Sequence, residues 1–415
     1  AILPGAATDD RRVVGAYVRD WAFGMPGDTA VQHAPYRGGL RLAYIGPPSL
    51  GVGVGGPFGT TVQGAASVAF TDLLGDHFLG VAMQASGTVR DIGGQVLYIN
   101  SARRWTWGVN LERAAYLYGY GSINQNSIDY VLAHIAVTGA SFLTQYARSQ
   151  SSRIELSAGY QRYSYALERT SLTGSVTGGA VPLDAPSPLG LGTASIAYVA
   201  DDASMGYTSP FAGTRFRLEA SPTIGSLNYQ SYLADFRRYT YLRPFTLAVR
   251  GIHYGRYGHD SDSDRIGSIF LGDPTLVRGY AYDTFDASEC APDAGGSLGS
   301  SSCPQFDRLL GSRVGVLNAE LRIPLLGSRG LGIIETVFPP LEIAPFIDAG
   351  VAWTGSSAPV WSLDANTADR TPVVSTGVTS RLNLFGFAVL EIYHAWPRMR
   401  PGRGGVWGFT LQPGW

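Results

Sequence analysis

Apolar and polar residues alternate with period two along most of this chain, often over ten or more residues. In WTWGVNL, Trp105, Trp107, Val109 and Leu111 share one face, and Thr106, Gly108, Asn110 and Glu112 share the other. RIELSAGY sets Ile154, Leu156, Ala158 and Tyr160 against Arg153, Glu155, Ser157 and Gly159. TRFRLEA and FLGVAMQAS repeat the pattern. Helical periodicity is nearly absent, so the chain is all-β. Soluble strands average about 5–6 residues, whereas strands that cross a bilayer need about 9–11. The long alternating segments fit the second class. Phase is lost after Tyr160, where Tyr163 and Tyr165 fall on the wrong face; a bulge or the end of the apolar band would explain it.

Composition agrees. Charged residues make up 15% of the 415 positions, against about 25% in an ordinary soluble domain. Aromatics reach 12% and the formal net charge is -1, which excludes a basic nucleic-acid binder. No run approaches the ~18 apolar residues of a membrane helix. About sixteen candidate strands can be counted between Arg41 and the C-terminus, an even number suited to a bacterial outer-membrane barrel. The last, GVWGFTLQPGW, alternates Trp407, Phe409, Leu411, Pro413 and Trp415 and resembles the C-terminal assembly signal of such barrels. Residues 1–37 read as an irregular linker, a plug, or the tail of a periplasmic domain, and 38–415 as the barrel. There is no initiator Met and no secretory signal, so the chain reads as processed or as one part of a longer one.

The longest stretch without strand pattern runs from His259 to Arg313, and loops of that length are uncommon unless functional. Within it, Arg278 sits between Val277 and Gly279-Tyr280, as if held inside something. Two later strands supply acceptors. VGVLNAELRIPLL turns Leu317, Ala319, Leu321, Ile323 and Leu325 outward and Asn318, Glu320 and Arg322 inward. LEIAPFIDAGVAW turns Ile343, Pro345, Ile347, Ala349 and Val351 outward and Phe346, Asp348 and Gly350 inward. A guanidinium from the loop could bridge Glu320 and Asp348 in a fork geometry that Lys cannot reproduce. On this register Leu321→Arg is expected to harm membrane folding, and Asn318→Arg to be better tolerated.

Val277-Arg278-Gly279-Tyr280, followed by Phe346-x-Asp348-x-Gly350, resembles the BamA/TamA-like outer-membrane assembly superfamily, which includes the two-partner secretion transporters. The resemblance covers about residues 38–415 and is strongest from Phe270 onward. It implies a sixteen-stranded antiparallel barrel whose long sixth extracellular loop folds into the lumen, with Arg278 locked on Asp348 and Glu320. It implies protein insertion or translocation, with no cofactor and no catalytic residue. The expected partners are outer-membrane lipid, lipopolysaccharide and other outer-membrane or periplasmic proteins. Family members usually carry polypeptide-transport-associated domains ahead of the barrel, and 37 residues are too few for one. A structural barrel that anchors partner proteins is therefore an alternative, as is a barrel-borne hydrolase built from dispersed strand residues.

Cys290 and Cys303, the only cysteines, lie in one Gly/Ser-rich stretch and suggest a disulfide in an oxidising compartment; two free thiols are the alternative. A disulfide in the same loop is also known in the superfamily. GHDSDSDRIG places Asp260, Asp262 and Asp264 at alternate positions, as Ca²⁺ loops do, but lacks the Gly and distal Glu of an EF-hand. A solvated surface loop is the simpler reading.

Overall fold

In a computed structural model the described residues are 36, 38–53, 61–86, 91–123, 128–173, 176–177, 181–286, 289, 303–328, 330, 332–336, 339–364, 370–386 and 388–411. The chain separates into two compact units, Ala1–Gly39 and Leu40–Trp415. The linker or plug expected over residues 1–37 lies, apart from Tyr36, outside the described residues.

The second unit is dominated by one sheet of 21 strand segments. Its ladder is an antiparallel meander in chain order. Arg41–Ile45 and Ser49–Gly53 both pair with Thr61–Thr71. Each long strand then pairs with the next, through Phe245–Tyr257, Arg313–Gly327, Leu341–Trp353, Val373–Leu384 and Ala388–Pro397 to Val406–Thr410. The segment count exceeds the expected sixteen because the first stave is split and because short pieces are counted separately. These pieces are Val176–Thr177, Val181–Leu183, Ser204–Met205 and Ile334–Glu335. Among the described residues no helix is long and apolar enough to cross a membrane, which says nothing about strands.

Side-chain exposure fixes the two faces. Leu317, Leu321 and Ile347 are 66%, 40% and 48% exposed, whereas Asn318, Glu320 and Asp348 are 3% or less. Trp105, Trp107, Val109, Leu111, Ile154, Leu156 and Tyr160 are likewise exposed, as the alternation requires. The sheet curls so that its inner face meets itself. The Arg322 guanidinium donates to the Pro210 carbonyl, although two other ladder strands, Tyr229–Leu242 and Phe245–Tyr257, stand between their own strands.

The parity break after Tyr160 involves no bulge. The register from Arg153 to Leu172 is continuous against Ile128–Ala147. Tyr163 and Tyr165 instead pack on the inner face against Leu189, Leu191 and Leu227. Val351 also departs from expectation. It points outward but is buried, because it shares a groove with Pro359 and Trp361 of the following loop.

Asn318 is no open lumenal position either. Its Nδ2 donates to the Leu276 carbonyl and to Asp348 Oδ1, so an Arg there would break both bonds. Gln95, exposed on the inner face beside Glu112, is the better control. Leu321→Arg should lower folding stability in bilayers by about 2–4 kcal/mol if the residue lies near the midplane. Gln95→Arg should cost little. Urea-dependent refolding into vesicles measures both, and the reverse ranking would mean that the faces have been exchanged.

Candidate functional site

Between Tyr257 and Arg313, the described residues from Ile269 to Phe285 and Leu309 pack on the inner face of the last strands. Leu271, Val277, Tyr280 and Leu309 form one buried apolar cluster with Val314, Val316, Ala352, Val373 and Met399. Apolar burial brings the loop there; two residues let it approach. Gly350 lies against the Val277 and Leu271 side chains, and a Cβ at that position would come within 2.8 Å of Val277 Cγ2. Gly279 has φ +88, a conformation that disfavours any side chain, and a Cβ there would press on Ala395 and Ser375. The Gly after Asp348 and the Gly after Arg278 are thus two halves of one fit.

The Tyr280 hydroxyl donates to the Val374 carbonyl and accepts from the Met399 N–H. Burial pushes its pKa up to about 12, against the opposing pull of the Met399 N–H, so it stays a donor at any physiological pH.

Arg278 is the centre. Its Nε and Nη2 donate to Asp348 Oδ2 and Oδ1, both at 2.8 Å, a bidentate fork. Its backbone N–H adds a third bond to Asp348. Its Nη1 donates to Glu320 at 2.7 Å and lies 3.5 Å from Glu391. The guanidinium also stacks 3.5 Å from the centre of the Phe346 ring. Burial opposes the charge on Arg278, but Asp348 and Glu320 outweigh it and hold the group protonated, above its already high ordinary value. The expected lock of Arg278, Glu320 and Asp348, with Val277, Gly279, Tyr280, Phe346 and Gly350 around it, is therefore assembled in one place.

The network extends further than those residues. Glu320 also accepts from Arg322 and twice from Arg381. Arg381 continues to Glu342 and Glu391, and Thr379 donates to Glu391. From the opposite end of the strands, Thr208 and Ser209 donate to Glu342. Tyr207 joins this contact through Ser328 and Asn383. Arg381 could have been found in the sequence, since it shares inward parity with Ser375, Gly377 and Thr379 on VVSTGVTSRLNL.

A second latch lies in the turn after Ala388–Pro397. Arg400 is buried and forks onto both oxygens of Glu289 while donating to the Gly279 and Thr284 carbonyls. Burial raises the Glu289 pKa, but the Arg400 hydrogen bonds and charge outweigh that and leave it below the usual carboxylate range. A depressed folded value means that this stabilisation is present above the unfolded pKa of about 4.3 and is lost as pH falls through the folded value. Hydrogen exchange over residues 281–286 should therefore speed up in that acid window, and Glu289→Gln should remove the pH dependence. A wild-type exchange rate indifferent to pH there, after correction for intrinsic chemistry, would contradict the latch.

Cys303 is buried and is not a free thiol; Cys290 lies outside the described residues. Trp407, Phe409 and Leu411 are strongly exposed on and just after the terminal strand, and Trp415 lies outside the described residues. Asp260 and Asp262 do not converge. Asp260 accepts from the Asn228 N–H and bonds His259, whereas Asp262 accepts from the Gly355 N–H. Asp264 opens a short 3-10 turn. No group of acids, His or Cys fit to hold a metal occurs among the described residues.

Residues 79–411 match the Omp85 superfamily domain. The chain belongs to the Omp85 superfamily. Among solved structures, BamA from Haemophilus ducreyi lacking POTRA domains 1-3 superposes with a TM-score of 0.53 at 14% identity, covering 99% of this chain and 79% of that one. That likeness concerns the fold. CdiB from Acinetobacter baumannii aligns at 12% identity and a TM-score of 0.46, over 84% of this chain and 56% of that one. CdiB from Escherichia coli aligns at 11% identity and 0.46, over 91% and 67%. No curated protein sequence matches the chain. Superfamily and fold place this Omp85 protein in the bacterial outer membrane as a β-barrel, within a superfamily devoted to protein insertion and translocation.

Proposed function

We propose that this Omp85 barrel inserts or translocates polypeptides at the outer membrane, with the Arg278 loop as a fixed lumenal wall rather than a catalytic element. The observation that carries this reading is the bidentate Arg278–Asp348 pair within the Glu320 network. A buried ion cluster is weak evidence for stability, and we take it as the device that fixes one arrangement of the loop. The lock ties the loop to strands Arg313–Gly327 and Leu341–Trp353, so that loop and wall move as one body. The test is reconstitution of the full chain in vesicles with an unfolded outer-membrane barrel as client, scored by the client's heat-resistant folded band. Client folding well above that in empty vesicles, and reduced by Arg278→Ala, is the expected result.

A second reading, an anchor for partner proteins without insertase activity, is favoured by the filled inner face. The Arg278 loop covers it from one end and residues 207–210 reach it from the other. Client folding no faster than in empty vesicles, with partner proteins co-purifying from native membranes, would select it. Neither His253 nor His394 lends the hydrolase alternative a Ser–His–Asp arrangement. His253 bonds Tyr257 and the Val314 carbonyl, and His394 packs between Trp396 and Trp407.

The Cys290–Cys303 pairing belongs to the same proposal, as a staple beside the loop tip. A closed loop of this size contributes roughly 3 kcal/mol on the chain-entropy account. The folded protein should take up no maleimide until it is reduced, and labelling of both thiols without reductant would remove the staple.

A further inference from the structure

Three consecutive strands run well past the membrane. Trp105–Ile123, Ile128–Ala147 and Ser152–Thr173 have 19, 20 and 22 residues, against the about 9–11 that cross a bilayer. Their neighbours His77–Ser86 and Ile92–Asn100 have 10 and 9. The surplus lies at the Ile123, Ile128 and Thr173 ends, which meet in register. Six antiparallel pairings separate Trp105–Ile123 from Phe245–Tyr257, so the two run the same way. The long loop follows Tyr257, and longer loops mark the extracellular side of bacterial barrels. The extension therefore stands outside the cell.

Its two margins differ. Along Ser152–Thr173 the chain returns to cover the edge. Val176–Thr177 pairs with Leu172 and Thr173, and Val181–Leu183 pairs with Leu167, Glu168 and Arg169. Pro182 sits in that cover and has no N–H for a further strand. Along Trp105–Ile123 the flanking strand stops short. Its last registered pair is Gly94 with Arg113, and Arg113 Nε donates to the Ile92 carbonyl at its end. From Leu117 to Ile123 one side pairs with Ile128–Ala147, and no strand among the described residues flanks the other. Native sheets blunt such an edge with charges, Pro or a bulge. LYGYGSI holds neither charge nor Pro, and its register against Ile128–Ala147 is unbroken. Gly119 and Gly121 weaken it as a strand, and Gly within a strand marks sites where another backbone comes close.

We propose that the Leu117–Ile123 edge takes up, as an added strand, an extended uncharged stretch of a polypeptide that this barrel has exported. The inference rests on the translocation reading above. Main-chain hydrogen bonds carry such binding, and alternate side chains go to the two faces. A charged stretch would find no counter-charge along LYGYGSI. A second copy of the chain does not fit. Copies in one membrane are related by rotation about its normal, so Leu117–Ile123 runs outward in each. With strands tilted about 35–45°, a two-fold axis would set the two edges crossing at about 70–90°, too steeply to pair. The opposite margin offers no alternative, since residues 176–183 already cover it.

The test is hydrogen exchange on the full chain in lipid nanodiscs, with and without a short peptide alternating Thr and Val. Without peptide, alternate amides from Leu117 to Ile123 should exchange fast. With it they should slow about tenfold or more, while amides of residues 167–173 stay unchanged. The same peptide carrying a central Pro should protect nothing. Gly119→Pro and Tyr120→Pro supply the variants, because neighbouring N–H groups of a strand point to opposite sides. One of the two breaks a bond to Ile128–Ala147. The other removes only an edge donor, and should keep the folded band and lose the protection. Absence of slowing in the wild type, or equal slowing by the Pro peptide, would overturn the assignment. Slow exchange of all these amides before any peptide is added would do so too, since the edge would already be occupied. Client folding in the vesicle assay without protection here would remove the edge and leave the insertion reading standing. Protection without client folding would leave a strand-binding edge and remove the export reading.

Discussion

Arg278→Ala should loosen the loop and destabilise the folded barrel by on the order of 3–5 kcal/mol, less where water can enter. The substitution removes the fork on Asp348 and the bond to Glu320 and leaves their carboxylates, with Glu391 close by, short of a counter-charge in a space almost closed to solvent. Coulomb repulsion there is far less screened than in water. The lost stacking on Phe346 adds a smaller penalty. Arg278→Lys should recover only part of the loss, since an ammonium cannot hold both oxygens of Asp348 and reach Glu320 together. The readout is the temperature at which the compact band on a semi-native gel is lost. Equal heat resistance of the wild type and Arg278→Ala would show that the fork contributes nothing.

Glu320→Ala should be comparably severe, for the opposite reason. One carboxylate accepts from Arg278, Arg322 and Arg381, so three guanidiniums converge on it. Its removal sets them against one another and opens a cavity at their centre. A loss on the order of 3–5 kcal/mol is expected. Glu320→Gln keeps the shape and should lose less, because the cavity is absent and Glu342 and Glu391 still hold Arg381. A Gln variant as damaged as the Ala variant would mean that charge, and not packing, accounts for the whole effect.

Much of this site could be read from parity. Once Leu317 and Ile347 are set outward, Glu320 and Asp348 must share the inner face, and a loop arginine between Val and Gly has one obvious place to go. The same rule applied one strand later would have yielded Arg381. What parity cannot yield are contacts between strands that are not neighbours. Thr208 and Ser209 reach Glu342 only because the sheet curls, and no local pattern encodes that distance. Arg400 was hidden differently. RMRPGR reads as a solvated basic turn, and only the returning loop with Glu289 makes it a buried latch. The tolerance expected at Asn318 fails for a related reason. Alternation tells which face a residue takes, but not whether that face is open or occupied.

The most direct measurement is a double-mutant cycle between positions 278 and 348, built from Arg278→Ala, Asp348→Asn and the pair, with unfolding free energies taken in bilayers. Removing both charges should cost clearly less than the sum of the single losses, with a coupling of about 1–3 kcal/mol for two groups in direct bidentate contact. A coupling of zero would mean that the loop does not dock on the strand wall, and the fixed lumenal wall would go with it.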